Sequence, residues 1–358
     1  MTKKPTPTSP KPTLPTDGLT FDIRQELDPD TDEPIEFGCF SRNWDHEQEL
    51  DELMDSLEAG RINDKQALLH AQKLLAKYPG NLEIQNHLAN RLWALEMRDE
   101  ATDVWAKAYS QASALIPKGY QGQIIWFEID NRPFLRVAYG YLLGLIDRKE
   151  AKAAQALAKK MLAWCPSDNL GVRMRMGDIS LMLGDTRAAK QHFLNEAQYS
   201  PAHWYQAGQI AFREGDYVSA CTYIRRGIAA NPYIAEGLTG RTVLTEHLYW
   251  HGSNRDGAEW AADYLNAPIC DWSSEEVDFV DWVFNSAAVL KERAKLAEQH
   301  EGLTYERDPE RRGAYAEKSA YFVSGITDTL SQKLVRKVRN RYNMDIWPWD
   351  RAGFDRRS

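Results

Sequence analysis

Cysteine is scarce in this chain: four residues in 358, Cys39, Cys165, Cys221 and Cys270, with no Cys-x-x-Cys pair. That spacing excludes a zinc ribbon and a disulfide framework, and it fits small buried residues in a reducing compartment. No apolar run approaches about 18 residues, so no membrane-spanning helix is expected. Lys3 and Lys4 are followed by prolines rather than by an apolar stretch, so no secretory leader is expected either. The chain has no Gly-rich phosphate loop, no G-x-S-x-G and no Cys–His pair at catalytic spacing. A chain that binds rather than catalyses, without cofactor or metal and in the cytoplasm, is the expectation. Sustained period-two alternation is also missing. The nearest case, Ile124–Ile129, is short and isolated, so no strand is expected.

Proline and charge are present but unevenly spread. Prolines 5, 7, 10, 12 and 15 forbid a helix near the start. They imply a solvated tail biased to polyproline II, in which Pro7 and Pro10 have the P-x-x-P spacing of a groove ligand. Residues 22–58 hold fourteen acidic side chains against Arg24 and Arg42. The first part of that stretch reads as loop. From about Asp45 the residues Leu50, Leu53, Met54 and Leu57 recur at helical spacing and predict a helix to Glu58.

Beyond Asn63 the text is helical. Apolar stripes at i, i+3, i+4 and i+7 predict helices over 64–77, 82–96, 99–115, 133–146, 149–164, 169–183, 186–199, 201–214 and 217–230. Two stretches repeat with one offset of 31 residues: Gly177/Gly208, Gly184/Gly215, Asp185/Asp216, Ala189/Ala220, Phe193/Ile224 and Pro201/Pro232. A fixed period containing two helical patterns is the mark of stacked helical hairpins. Each residue has a task in such a unit. The first Gly lets the two helices approach closely. The Gly-Asp pair ends one helix in a left-handed turn and caps the next. The Pro ends the hairpin and opens the following helix.

Residues 204–232 (Trp204, Ala207, Gly208, Ala211, Gly215, Tyr217, Ala220, Ile224, Gly227, Pro232) resemble the tetratricopeptide (TPR) family, as do 173–201 and, more weakly, the stretch ending at Pro166 and the one around Leu88 to Ala108. The likeness covers about 64–250, with a period of 31 where the family has 34. Residues 131–173 are similar to a variant repeat of some bacterial TPR proteins and of the suppression-of-tumorigenicity proteins. The resemblance implies an all-α, right-handed solenoid of about five hairpins. The expected organisation is a tail over 1–44, an array over 45–250, a helical cap over 251–345 and a second tail over 346–358.

The resemblance also implies a concave wall of first helices that takes a protein or peptide partner. Carried over by position, the groove residues are Asn86, Asn90, Arg136, Tyr139, Arg175, Asp178, Tyr205, Gln209 and Arg213, with Arg136, Arg175 and Arg213 as a basic ladder for an acidic peptide.

Other features point elsewhere or nowhere. His247 and His251, four apart, would share a helix face, but Glu-His-Leu-Tyr-Trp-His is not a zinc motif. Trp250, Trp260, Trp272, Trp282, Trp347 and Trp349 suit the packing of terminal helices. Ser273 and Glu276 form a capping box that predicts a helix over 274–300, followed by another over 309–342. The latter would be basic at its end, over 330–342, through Lys333, Arg336, Lys337, Arg339 and Arg341. A nucleic-acid partner for that basic helix is the alternative to a peptide in the groove. Contact with the acidic 22–58 segment is another reading of the same face.

Overall fold

A computed structural model of the full chain describes residues 18–27, 34–42, 47–240, 244–248, 250–267 and 271–354. The proline-rich stretch, Cys270, Arg356 and Arg357 lie outside the described residues. The chain is mostly helical and divides into two compact units, Met1–Leu183 and Gly184–Ser358.

The first unit begins with a hairpin, β1 (Thr20–Leu27) and β2 (Pro34–Ser41), paired antiparallel from Thr20↔Ser41 to Leu27↔Pro34. The expected acidic loop is therefore a pair of strands. What holds it is tertiary. Asn131, fully buried, accepts from Phe40 N at 2.9 Å and donates to the Gly38 carbonyl at 2.9 Å. Gln123 bridges Phe37 in parallel through Gly38 N and the Glu36 carbonyl. Seven helices follow: α1 (Glu47–Glu58), α2 (Asp64–Lys77), α3 (Leu82–Ala94), α4 (Arg98–Ser113), α5 (Arg132–Asp147), α6 (Ala151–Trp164) and α7 (Met176–Met182). They match the predicted helices within a few residues, except that 169–175 is turn and 3₁₀ before α7 begins. Asn63 and Asn81 cap α2 and α3 with their side-chain oxygens. Consecutive helices α2 to α5 pack in turn. Helix α5 lies directly on Trp105, because a Cβ on Gly140 would sit 2.3 Å from that ring.

The second unit holds α8 (Thr186–Glu196), α9 (Pro201–Arg213), α10 (Tyr217–Ala230), α11 (Pro232–Leu238), α12 (Ala258–Asn266), α13 (Ser274–Asn285), α14 (Ala287–Tyr305), α15 (Pro309–Ala320), α16 (Phe322–Gly325) and α17 (Asp328–Leu334). A short ladder of β3 (Val338–Arg339) and β4 (Asp345–Ile346) closes it. The repeat signals act locally as the spacing predicted. Gly184 and Gly215 take φ of 77° and 78°, and Asp185 and Asp216 accept from Ala188 N and Ser219 N. Pro201 and Pro232 open α9 and α11. At the α9–α10 crossing a Cβ on Gly208 would meet Ile224 Cδ1 at 2.8 Å, and one on Gly227 would meet the Tyr205 ring at 2.7 Å.

Four expectations are corrected here. The boundary expected at 250/251 does not divide the core, since Tyr205, Ile224, Tyr233, Tyr264, Phe279 and Val283 share one cluster. The helix expected over 274–300 breaks at Ser286 (ψ 138°) and resumes to Tyr305. The second, expected over 309–342, breaks after Ala320 and again before Asp328, and α17 ends at Leu334. It ends because Asn340 builds a turn instead, accepting from Tyr342 N and Met344 N and donating to the Gly353 carbonyl. The expected tail from 346 is anchored, with Trp349 buried against Phe212, Tyr217 and Phe279.

A buried ionic network fastens the C-terminal helices to α10. The Arg225 guanidinium, 2% exposed, forks onto Glu292 of α14, and its Nη1 donates to the Thr327 carbonyl at 2.9 Å and to Ser331 Oγ at 2.8 Å. Thr222 donates to Asp328 at 2.6 Å. Every arm of the cation is matched, which is what a buried charge requires. Arg225→Ala should lower the unfolding free energy by about 3–5 kcal/mol. Urea denaturation of the full chain checks this.

Candidate functional site

The groove residues expected from the repeat fall in both units, and all but Asn90 are engaged within the chain. In the first unit Arg136 pairs with Glu83, and Trp105 Nε1 donates to Asn86 at 3.1 Å. Arg175 reaches Tyr139 Oη at 3.4 Å and Asp178 at 3.9 Å, so Tyr139, Arg175 and Asp178 do come together. Asn90 is exposed.

In the second unit the wall of α9 is covered by the chain itself. Tyr205 is fully buried and donates to the Asn231 carbonyl at 2.8 Å, so it is a core residue rather than a groove residue. Gln209 donates to the Asp271 carbonyl at 2.7 Å and to Glu276 at 3.1 Å. Arg213 forks onto Glu276 with Nε at 2.6 Å and Nη2 at 3.2 Å. Burial works against the Glu276 carboxylate, but Arg213 and the Ser273 amide hold it below the usual glutamate range. The cation assigned to a guest peptide thus holds the N-terminal turn of α13.

Lys333, Arg336, Lys337, Arg339 and Arg341 are all exposed but do not form one helix face. Lys333 is on α17, whereas Arg336, Lys337, Arg339 and Arg341 follow its end. Lys337 sits 5.3 Å from the Trp347 ring centroid, Arg341 lies 5.0 Å from that of Tyr342, and Arg339 pairs with Asp345 at 3.5 Å.

The open site of the second unit lies elsewhere, between the end of α10, the loop 247–257 and helices α14 to α16. Two adjoining hollows of about 520 and 1180 Å³ share Ala229, Ala230, Asp256, Leu296 and His300. The lining of the larger hollow mixes apolar residues such as Ala197, Ala229, Leu296 and Val323 with polar ones such as Gln198, Arg226, Asp256 and Ser319. Its rim is aromatic and wet: Tyr199 (57% exposed), Trp250 (40%) and Tyr321 (68%) around the larger hollow, with Leu248, Leu290 and Tyr305 around the smaller. Trp204 lines the larger hollow with Arg226 over its ring at 4.9 Å. The buried Trp204 Nε1–H has no acceptor among the described residues.

The loop that forms one side is pinned at several points. Ser253 and Asp256 make a capping box, Asn231 donates to the Arg255 and Gly257 carbonyls, and Tyr305 donates to the Leu248 carbonyl at 3.0 Å. His247 and His251 lie in this loop and not on a helix. They meet at Tyr233, whose Oη accepts from His247 N at 2.8 Å and bonds His251 Nε2 at 2.9 Å. The periodicity could not show this, because the convergence depends on the buried ring of α11. Burial lowers His300 to about 4, with the facing His251 adding to the effect, and burial raises Asp256 despite its bonds to Ser253. At neutral pH His300 is therefore an uncharged polar group in the lining of both hollows. Among the described residues no group of His, Cys, Asp and Glu is placed to hold a metal ion, and no helix is long and apolar enough to cross a membrane.

No protein-family model matches this chain, and no curated protein matches it.

His300 gives the site a pH signature. An unfolded histidine takes up its proton near 6.5, whereas folded His300 resists until about 4. Between those values the unfolded chain binds the extra proton, so stability is lost as the pH falls through the window. The urea midpoint of the full chain should drop from pH 7 to about pH 4.5, and the drop should be smaller in His300→Gln, which keeps a polar group for Ser319.

Proposed function

We propose that this chain is a non-catalytic scaffold of the tetratricopeptide type, a right-handed solenoid of helical hairpins, that holds an extended peptide segment of a partner protein. The docking site in this reading is the aromatic-rimmed groove of the second unit, not the inner wall of first helices. The observation that carries it is the gathering of six exposed large apolar side chains, Tyr199, Leu248, Trp250, Leu290, Tyr305 and Tyr321, around two adjoining hollows. Scattered exposed apolar residues need no explanation, but a contiguous patch around a groove is the usual form of a recognition surface. The repeat spacing and the Gly-Asp turns support the hairpin reading.

The chemistry of the groove selects the guest. Flat aromatic faces around a groove of mixed lining suit a polyproline II segment, which arrives already extended, offers carbonyls to polar groups and loses little entropy on docking. Trp204 supplies an indole N–H for which a guest carbonyl is the natural acceptor. The neutral His300 adds a polar contact without burying a charge. A nucleic-acid reading has less support, because the basic residues after Leu334 are parcelled among Trp347, Tyr342 and Asp345.

A set of fluorescent proline-rich peptides, one of them residues 3–15 of this chain, tests the proposal by anisotropy. At least one should bind, and Trp250→Ala combined with Tyr321→Ala should weaken it by tenfold or more, on the order of 1.4 kcal/mol or above. Binding that ignores both substitutions, or no binding across the set, would refute the groove as the docking site.

A further inference from the structure

The β1–β2 hairpin has one edge turned to the core and one open. The polarity of the open edge follows from the contacts of β2. Gly38 N donates to the Gln123 carbonyl, Gln123 N donates to the Glu36 carbonyl, Phe40 N donates to Asn131, and Asn131 donates to the Gly38 carbonyl. The backbone groups of Glu36, Gly38 and Phe40 therefore point away from β1. Those of Phe37 and Cys39 point toward it, at Arg24 and Asp22 in the observed register. Backbone groups alternate along a strand. Hence Asp22 and Arg24 spend their amides and carbonyls on β2, and Phe21, Ile23 and Gln25 direct theirs outward. Among the described residues nothing pairs with that edge. Asp22, Ile23, Arg24 and Gln25 are exposed, Ile23 at 45%.

An open edge is a template for another strand unless charge forbids it. Here the charges are self-complementary. In an antiparallel pairing of two copies about Ile23, the outward groups of Phe21, Ile23 and Gln25 meet those of Gln25, Ile23 and Phe21 of the second copy. The same register sets Asp22 opposite Arg24 twice. These are the pairs without backbone bonds, where facing side chains approach most closely. Shifting the two-fold axis to Asp22 would oppose Asp to Asp, and shifting it to Arg24 would oppose Arg to Arg. One register thus satisfies backbone polarity and side-chain charge together.

We propose that β1 is a homodimerisation edge: a second copy of this chain adds its own β1 antiparallel about Ile23, making a four-stranded sheet across a two-fold axis. The contact is isologous, so it closes at two copies. It is small, so the dimer is of the transient class, and it weakens as salt screens the Asp22–Arg24 pairs.

Sedimentation of the full chain from about 1 to about 200 µM tests this, since a small interface associates in that range. The weight-average mass should rise toward a dimer. Asp22→Arg should weaken association by about tenfold or more, and adding Arg24→Asp to it should restore the dimer, since the exchanged charges again face each other. Ile23→Pro should abolish it while leaving the hairpin ladder whole, because the lost N–H faces outward. Hydrogen exchange on the unaltered chain provides a readout without substitution: the amides of Phe21, Ile23 and Gln25 should become protected as concentration rises. A chain that stays monomeric throughout overturns the proposal. So does a dimer in which those three amides stay unprotected, or one that the charge reversal does not weaken.

Discussion

Close approach of helix backbones to bulky side chains is the constraint on which both units rest. A helical hairpin can cover only part of its apolar surface with its own two helices, so it must offer the rest to a neighbour. For the neighbour to seat well, something must give way at the crossing. Here it is the backbone: Gly140 admits Trp105, Gly208 admits Ile224 and Gly227 admits Tyr205. A methyl group at any of these points would occupy space the ring or branched chain already fills. Interiors packed to crystal density have no slack to absorb it. The buried Ala71, Ala101, Ala189 and Ala220 do the same work where a methyl still fits.

The approach at Gly208 and the turns of the repeat were legible in the sequence because they are local, whereas the seat of Trp105 on Gly140, 35 residues away, was not. The glycine turns with their aspartate caps, and the prolines that open α9 and α11, recur at a fixed offset, and each acts within a few residues of itself. What could not be read depends on distant partners. The strands β1 and β2 do alternate, Phe21, Ile23 and Leu27 with Asp22, Arg24 and Glu26, but the run is short and lies in a stretch whose acidic excess reads as loop. They exist because Asn131, some ninety positions on, supplies the missing hydrogen bonds. The end of α17 is similar. Leu330, Leu334, Val335 and Val338 make a good helical stripe, but Asn340 binds its neighbours' amides and the Gly353 carbonyl and turns the chain away.

The site follows the same division. Residue types carried over from the repeat do line up along helices, and Tyr139, Arg175 and Asp178 do meet. Sequence gave no sign, however, that α13 would lie on α9 and take Gln209 and Arg213 for its own N-terminus. The capping box at Ser273 and Glu276 announced only a helix start. That Glu276 serves its own helix and receives Arg213 as well could be learned only from the packing. The consequence is a change in where an open surface can be. With the wall of α9 occupied, the exposed aromatic groups lie around the hollows beside α14 and α15, drawn from four separate stretches of chain that no single periodicity connects.

The buried cation of α10 bears on the order in which the polypeptide can mature. Arg225 finds its carboxylate 67 residues later and its carbonyl and hydroxyl partners 102 and 106 residues later. During synthesis the hairpin that carries it leaves the ribosome long before those groups exist, so the nascent second unit must keep this guanidinium in water and its core unfinished. A product ending before Thr327 would keep the Glu292 carboxylate but leave Nη1 of the guanidinium without its carbonyl and hydroxyl partners. Completion of the last tenth of the chain thus supplies the final hydrogen bonds of this buried network.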